Sequence, residues 1–344
     1  MIIDQQRHGR PTSSHASWLT RLLGATGALS LAAPLTWIGY SALAINHDLP
    51  LPDALNAPRK TINGHYIGQI SYYAKRSGSG RPLVLIHSIN AGASAYEVKP
   101  LFDHFSGQRP IYAPDLPGFG FSERSDRRYT PELYTTAILA LLDDIEQTEG
   151  GVDVVALSLS GEFVARAAQR RPELFHSLTL ISPSGFSAAR QLNRTERAAN
   201  NQTSERAHRI VTFRLWSQAL FDLLAAKPSI AYYLKRSFVG PIDAGLLAYD
   251  YATTHQRGAR FAPLAFISGA LFTPDIRQTI YATLDLPVLV LYDQDSFVGF
   301  DELPTFLTQH QHWQAVRISP TRGMPHFEQP TQTSAAIASF CAAV

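Results

Sequence analysis

The hydrophobic positions of this chain gather into short, nearly unbroken runs. Pro82 to Ile86, Pro110 to Ala113, Val152 to Leu157, Leu178 to Ile181 and Leu286 to Tyr292 are each almost wholly apolar. Such runs mark strands buried on both faces of a parallel sheet. Before them, Ile62 to Lys75 alternates through Ile67, Ile70 and Tyr72 and suits a first strand pair. Helical sequence separates the runs. Thr130 and Pro131 supply an N-cap and a first helical residue, and Leu133, Ala137, Leu141 and Ile145 form one apolar face behind them. The alternation of strand and helix predicts an α/β fold. Its mostly parallel sheet is doubly wound, and its ligand site lies at the carboxyl ends of the strands.

After Pro183 the rhythm breaks. Residues 187–209 are polar and rich in arginine, whereas 210–281 are helical in composition and carry Phe213, Trp216, Phe221, Tyr232, Tyr233, Phe238, Tyr249 and Tyr251. This predicts a helical insertion over residues 185–285, seated on a core made of 61–184 and 286–344. Most of its aromatics are expected to form a small core of their own rather than a substrate lining. The pattern then resumes with a helix around Glu302 to His310, a strand at Gln314 to Ile318, a loop from Ser319 to His326 and a closing helix near Thr331 to Ala343.

The N-terminal end follows a different pattern. Residues 1–21 form a polar lead, and 22–45 contain no charged side chain. A helix of that length would extend roughly 36 Å against a hydrocarbon core of about 30 Å. The expectation is a transmembrane helix over 22–45. Arg7, Arg10 and Arg21 before it, with Asp48 and Asp53 after it, place the main domain outside the cytoplasm. The competing reading is a signal sequence cleaved near Ala44, because Ala42-Leu43-Ala44 has the small-x-small form, leaving a secreted or periplasmic protein. Residues 46–60, with Pro50, Pro52 and Pro58, read as a linker.

Composition narrows the function classes. An apolar fraction of 45% with 17% charged residues fits a folded protein, and a net charge of +2 with no basic run interleaved with aromatics excludes a nucleic-acid partner. The single cysteine, Cys341, provides neither a disulfide framework nor a metal site. His310 and His312 form no ligand cluster and are expected to be solvent-exposed. No cofactor and no metal are expected.

Candidate chemistry begins at Ser158, in Val152-Asp-Val-Val-Ala-Leu-Ser-Leu-Ser-Gly161. A β-branched run ends at a serine with Ala156, Ser160 and Gly161 around it, and helix-forming sequence follows. Small neighbours are needed where a strand turns sharply into a helix, and the turn leaves the hydroxyl exposed at the helix N-terminus. An ordinary serine N-cap is the plain alternative. Two further side chains fall at strand ends: Asp295, with Asp293 as a rival acid, and His326 in Arg-Gly-Met-Pro-His-Phe-Glu. A hydroxyl needs a base in reach, and the base needs a group to fix its tautomer, which are the roles histidine and aspartate suit.

With Ser158, Asp295 and His326 in that order, the chain from about Ile62 onward resembles an α/β-hydrolase of the serine-nucleophile type with a helical cap. The His87 turn, the loop Asp115-Leu-Pro-Gly-Phe-Gly-Phe-Ser122 and the place of the insertion belong to the same resemblance. It implies Ser158 as nucleophile, His326 as base and Asp295 as the orienting acid. It further implies an oxyanion hole made by the backbone N–H groups of Leu159 and Ile89, with Asn90 as the alternative to Ile89. His87 corresponds to a structural histidine. The sequence departs from the family with Ser88 where glycine is usual, Ala156 and Ser160 in the elbow, and Glu162 where a small residue is frequent. The activity implied is hydrolysis of an ester-type acyl bond in an apolar small molecule or lipid. A C–C bond hydrolase, a cofactor-free haloperoxidase and a proline iminopeptidase share the scaffold, and a membrane-tethered binding protein is the non-catalytic alternative.

Overall fold

The computed structural model describes residues 33–145, 150–187 and 201–344. Residues 46–344 form one compact unit, and the described residues before Asn46 belong to another. Eight strands make a single sheet in the order β1-β2-β4-β3-β5-β6-β7-β8. They are β1 (Arg59–Gly64), β2 (Gly68–Lys75), β3 (Leu83–Ile86), β4 (Ile111–Pro114), β5 (Val152–Leu157), β6 (Phe175–Ile181), β7 (Val288–Gln294) and β8 (Trp313–Arg322). β2 pairs antiparallel with β1 and β4, and every other neighbouring pair is parallel.

Before β6 the described α-helices are α1 (33–44), α2 (Lys99–Phe105), α3 (Pro131–Asp144) and α4 (Ser160–Arg170). Between β6 and β7 come α5 (Asn201–Val211), α6 (Ser217–Ala225), α7 (Lys227–Lys235), α8 (Ala244–Thr254), α9 (Phe261–Ile267) and α10 (Ile276–Thr279). After β7 follow α11 (Leu303–Gln309), α12 (Pro325–Glu328) and α13 (Pro330–Ala343).

The unbroken apolar runs are explained by two cores, one on each face of the sheet. Val154 and Ala156 of β5 pack with Leu133, Ile138 and Leu141 of α3 and Phe163 and Val164 of α4. Val155 and Leu157 point the other way, toward Leu101 and Phe102 of α2 and Ile337 and Phe340 of α13. Successive side chains on a strand leave opposite faces, so a strand covered on both sides is apolar at most positions, and Asp153 of β5 is buried with Arg109 and Ser177 as its partners. The consequence is a rigid floor whose carboxyl ends carry the candidate residues.

The structure corrects the transmembrane assignment. Among the described residues no helix is long and apolar enough to cross a membrane. Residues 22–32 of the expected span lie outside the described residues. α1 covers the described remainder over 33–44, about 18 Å of helix at 1.5 Å per residue. Helical backbone stops at Ile45, and the chain continues through Asn46-His47-Asp48 and the prolines after it.

The C-terminal end differs from expectation as well. β8 continues to Arg322, through residues expected to be loop, and His326 stands in the one-turn helix α12. Arg317, Ser319 and Pro320 are exposed along this outermost strand, so the apolar signature of a doubly buried strand is missing there. His310 and His312 are half-buried rather than exposed, and the His310 ring stacks on Phe306 with centroids 3.9 Å apart.

Candidate active site

The turn from β5 into α4 holds Ser158 with φ of 51°, a left-handed backbone conformation that a serine adopts at a cost. Neighbouring bonds fix it there: Ser158 N–H donates to Ile181 O at 2.8 Å, and Gly161 N–H donates to Ser158 O at 3.1 Å. A Cβ at Gly161 would stand 3.0 Å from Leu180 Cδ2, which explains why the helix keeps a glycine beside the sheet. The Ser160 hydroxyl donates to His87 O at 2.5 Å and so ties the turn to the loop that follows β3. Serine in place of the usual glycine thus adds a bond rather than a defect.

Both nitrogens of His87 are engaged. Nε2 accepts from Leu116 N–H at 2.9 Å, which makes Nδ1 the protonated nitrogen, and Nδ1 donates to Ser88 O at 2.6 Å. Burial holds this ring neutral by pushing its pKa down to about 4. Ser88 also has a partner waiting. Glu97, buried at the start of the next helical segment, accepts Ser88 N–H at 2.8 Å, the Ser88 hydroxyl at 3.0 Å and Asn90 Nδ2 at 2.6 Å. The carboxylate holds the loop that carries Ile89 and Asn90. Burial raises the pKa of Glu97, and the donors from Ser88 and Asn90 oppose that shift. Ile89 and Leu159 are themselves buried, and among the described residues neither backbone N–H is given to an acceptor within the chain.

The loop after β4 closes the site from the other side. Asp115 is fully buried, accepts Ala95 N–H and Phe121 N–H at 2.9 Å each, and lies where a Cβ on Gly120 would fall, 1.9 Å from its Cγ. This carboxylate shapes the loop.

The two acids at the carboxyl end of β7 separate clearly. Asp293 is buried and accepts Arg317 Nε at 2.7 Å and Thr321 N–H at 2.9 Å. Burial alone would raise its pKa, but the Thr321 N–H and the Arg317 guanidinium outweigh it and hold the carboxyl below the usual range. Both of its oxygens are committed to β8. Asp295 stands at the strand end instead, where Oδ1 accepts Phe297 N–H at 2.6 Å and Val298 N–H at 3.1 Å. Its Oδ2 lies 3.0 Å from where a Cβ on Gly323 would be, three residues before His326.

His326 is completely buried, and its Nε2 donates to Glu97 O at 2.7 Å. Nδ1 has no hydrogen-bond partner. The structure therefore brings Ser158, Asp295 and His326 to the same end of the sheet without joining them by hydrogen bonds. A carbonyl can only accept, so the imidazole here carries its proton on Nε2. Pairing with Asp295 through Nδ1–H requires the other tautomer. Burial lowers its pKa to about 4, which keeps the ring neutral and able to accept a proton.

Of the buried acids near the site, Glu162 was marked in the sequence only as a departure from a small residue, and Glu97 and Asp250 were not marked at all. Glu162, fully buried in the first turn of α4, accepts the Ser184 hydroxyl and, on its other oxygen, Thr273 N–H at 2.8 Å. Its signal was present as the departure from a small residue after Gly161. Asp250 on α8 is buried against Gly92, and its Oδ1 has no partner. Burial and, after it, the charge of Glu97 push the pKa of the Asp250 carboxyl well above the usual carboxylate range. An aspartate among apolar helix positions carries no marking that would have revealed it. Among the described residues no group of three histidine, cysteine, aspartate or glutamate side chains could hold a metal ion.

The model of the alpha/beta hydrolase family matches residues 83–336. The 2-hydroxymuconate semialdehyde hydrolase of Pseudomonas sp. (strain CF600) is 32% identical over 113 residues, covering 32% of this chain and 39% of that protein. The 2-hydroxy-6-oxo-2,4-heptadienoate hydrolase of Pseudomonas putida is 31% identical over 112 residues, covering 32% and 40%. The chain thus aligns with about two fifths of the length of these relatives. Among solved structures, a serine hydrolase involved in carbazole degradation superposes with a TM-score of 0.65 at 17% identity, covering 83% of this chain and 99% of that one. A bacterial membrane phospholipase A superposes at 0.63 with 18% identity, covering 94% and 96%. At such identities the structural likeness concerns the fold alone.

Proposed function

The chain belongs to the alpha/beta hydrolase family, and on that premise we propose that it is a serine hydrolase cleaving an ester-type acyl bond of an apolar small molecule or lipid through an acyl-enzyme on Ser158. The observation that carries this reading is the left-handed backbone of Ser158 at the β5–α4 turn. A strained, non-glycine residue held by surrounding bonds at a strand end is where a fold spends stability on function.

In the proposed reaction His326 leaves the Glu97 carbonyl, releases its Nε2 proton to solvent and takes one up on Nδ1, points that Nδ1–H toward Asp295 and, with Nε2 now free, takes the Ser158 proton there. The alkoxide attacks the acyl carbon, and the oxyanion is held by the N–H groups of Leu159 and Ile89. His326 then passes its proton to the leaving group and activates water for the second half of the reaction. Asp295 steadies the imidazolium, and the commitment of Asp293 to Arg317 and Thr321 supports Asp295 for this role. The preference for apolar substrates is supported by the exposed Phe213, Trp216, Tyr232 and Tyr233 between β6 and β7.

A second reading is favoured by the names of the relatives, which describe hydrolases of dienoate and semialdehyde substrates. There the same serine and histidine would cleave a C–C bond. A panel of p-nitrophenyl esters of increasing chain length beside a 2-hydroxy-6-oxo-dienoate decides between them. Ester turnover that rises with chain length supports the first reading, dienoate turnover alone supports the second, and ester turnover indifferent to chain length removes the lipid preference.

A further inference from the structure

The insertion between β6 and β7 leaves the core through Ser182 to Ser187 and rejoins it through Thr273 to Thr283. These two roots touch. A Cβ on Gly185, which has φ of 102°, would stand 2.6 Å from Ile276 Cγ2, and the Phe186 ring stacks on Tyr281 with centroids 5.6 Å apart. Both are held by α4, the helix that begins at the nucleophile turn. Glu162, Arg166 and Gln169, spaced i, i+4 and i+7, fall on one face of it. Arg166 donates to Thr273 Oγ1 at 3.0 Å, and Gln169 donates to Thr279 O at 3.1 Å and Thr283 Oγ1 at 2.7 Å.

Glu162 reaches both roots. One carboxylate oxygen accepts the Ser184 hydroxyl of the outgoing root, and the other accepts Thr273 N–H of the returning root at 2.8 Å. Glu162, Ser184 and Thr273 are each buried. A helix cap interaction does not explain this arrangement, because the carboxylate is spent on other segments. A carboxyl group buried in the fold is retained only where its hydrogen bonds offset the desolvation.

We propose that Glu162 is a positioning residue that sets where the cap sits over Ser158, by fastening both roots of the insertion to the nucleophile helix. The proposal rests on the acyl-hydrolase reading for its kinetic consequence and stands independently for its structural one. Removing the carboxylate loosens both roots at once. Glutamine keeps an oxygen for Thr273 N–H and offers an N–H to Ser184 Oγ, so it preserves the fastening without the charge.

The test compares wild type, Glu162→Ala, Glu162→Gln and Ser184→Ala by amide hydrogen exchange and by hydrolysis of p-nitrophenyl acetate and decanoate. In Glu162→Ala, exchange rises in 182–187 and 271–283 while β3 and β5 stay protected. KM for decanoate rises by about tenfold, the scale of one buried donor left unpaired, while kcat on acetate changes little. Glu162→Gln restores both readouts, and Ser184→Ala shows a smaller shift in the same direction. Unchanged exchange in the two roots of Glu162→Ala overturns the proposal. So does a loss in Glu162→Gln as large as in Glu162→Ala, which would make the charge itself the cause. Should Glu162→Ala fail to fold, Ser184→Ala alone decides, through exchange in 182–187. If wild type hydrolyses neither ester, the acyl-hydrolase reading fails while the exchange comparison still judges Glu162.

Discussion

A serine with φ of 51° is an expensive residue. Glycine would adopt that backbone without strain, so Ser158→Gly is expected to be inactive yet more stable than Ser158→Ala by about 1 kcal/mol. Denaturant midpoints of the two variants check this, and equal midpoints would show that the turn is not strained. His87 and His326 make a second statement at this scale. Both are held neutral by burial, with pKa values near 4 against an ordinary 6.5. Between those values the unfolded chain binds protons that the folded chain refuses, so these two groups favour unfolding as pH falls from about 6.5 toward 4. Glu97, Asp115 and Asp250, whose pKa values burial raises, act in the opposite sense. The histidines are therefore best followed individually, by their ring resonances. Neither is expected to titrate between pH 8 and about 5.5, and a midpoint near 6.5 at either would contradict the burial that holds it neutral.

At the level of elements, the loop after β4 is fixed by a glycine that has no room to change. Gly120 has φ of 49° and its absent side chain is replaced by the Asp115 carboxyl group. Gly120→Ala is expected to cost more than about 2 kcal/mol, because it combines a disfavoured backbone with a collision against a buried carboxylate. A denaturant midpoint close to that of wild type would overturn this account of the loop. The same elements show what the residue pattern reveals. β3, β5, β6 and β7 are legible because both of their faces are covered, which makes most of their positions apolar. β8 is longer than its apolar signature, since Arg317 and Ser319 are exposed at the sheet edge while Thr321 is tied to Asp293. Its exact end matters, because it decides that His326 rides on a one-turn helix. Ser158, Asp295 and His326 could be placed at strand ends from their positions in the chain. Their mutual bonds could not, since the Glu97 carbonyl that holds His326 lies 229 residues away in sequence.

Over the whole molecule, the division of labour follows from how each part is held. The sheet and α4 fix the nucleophile turn, whereas the segment between β6 and β7 meets that helix through Glu162, Arg166 and Gln169. Substrate choice is expected to lie in the segment that the hydrophobic pattern describes least well. Charge and aromatic content marked it as helical, but nothing in its sequence foretold that Asp250 would be buried against the loop after β3. The apolar run at 22–45 was misread because length and hydropathy alone suffice for a spanning helix on paper, while the described part of it is a helix of about 18 Å. The central claim is that Ser158 is an activated nucleophile, and labelling by a fluorophosphonate tests it most directly. Wild type is expected to be labelled covalently at Ser158, with labelling lost in Ser158→Ala and reduced at least about 1000-fold in rate in His326→Ala. Equal labelling of wild type and Ser158→Ala, or none in a folded wild type, would contradict the account.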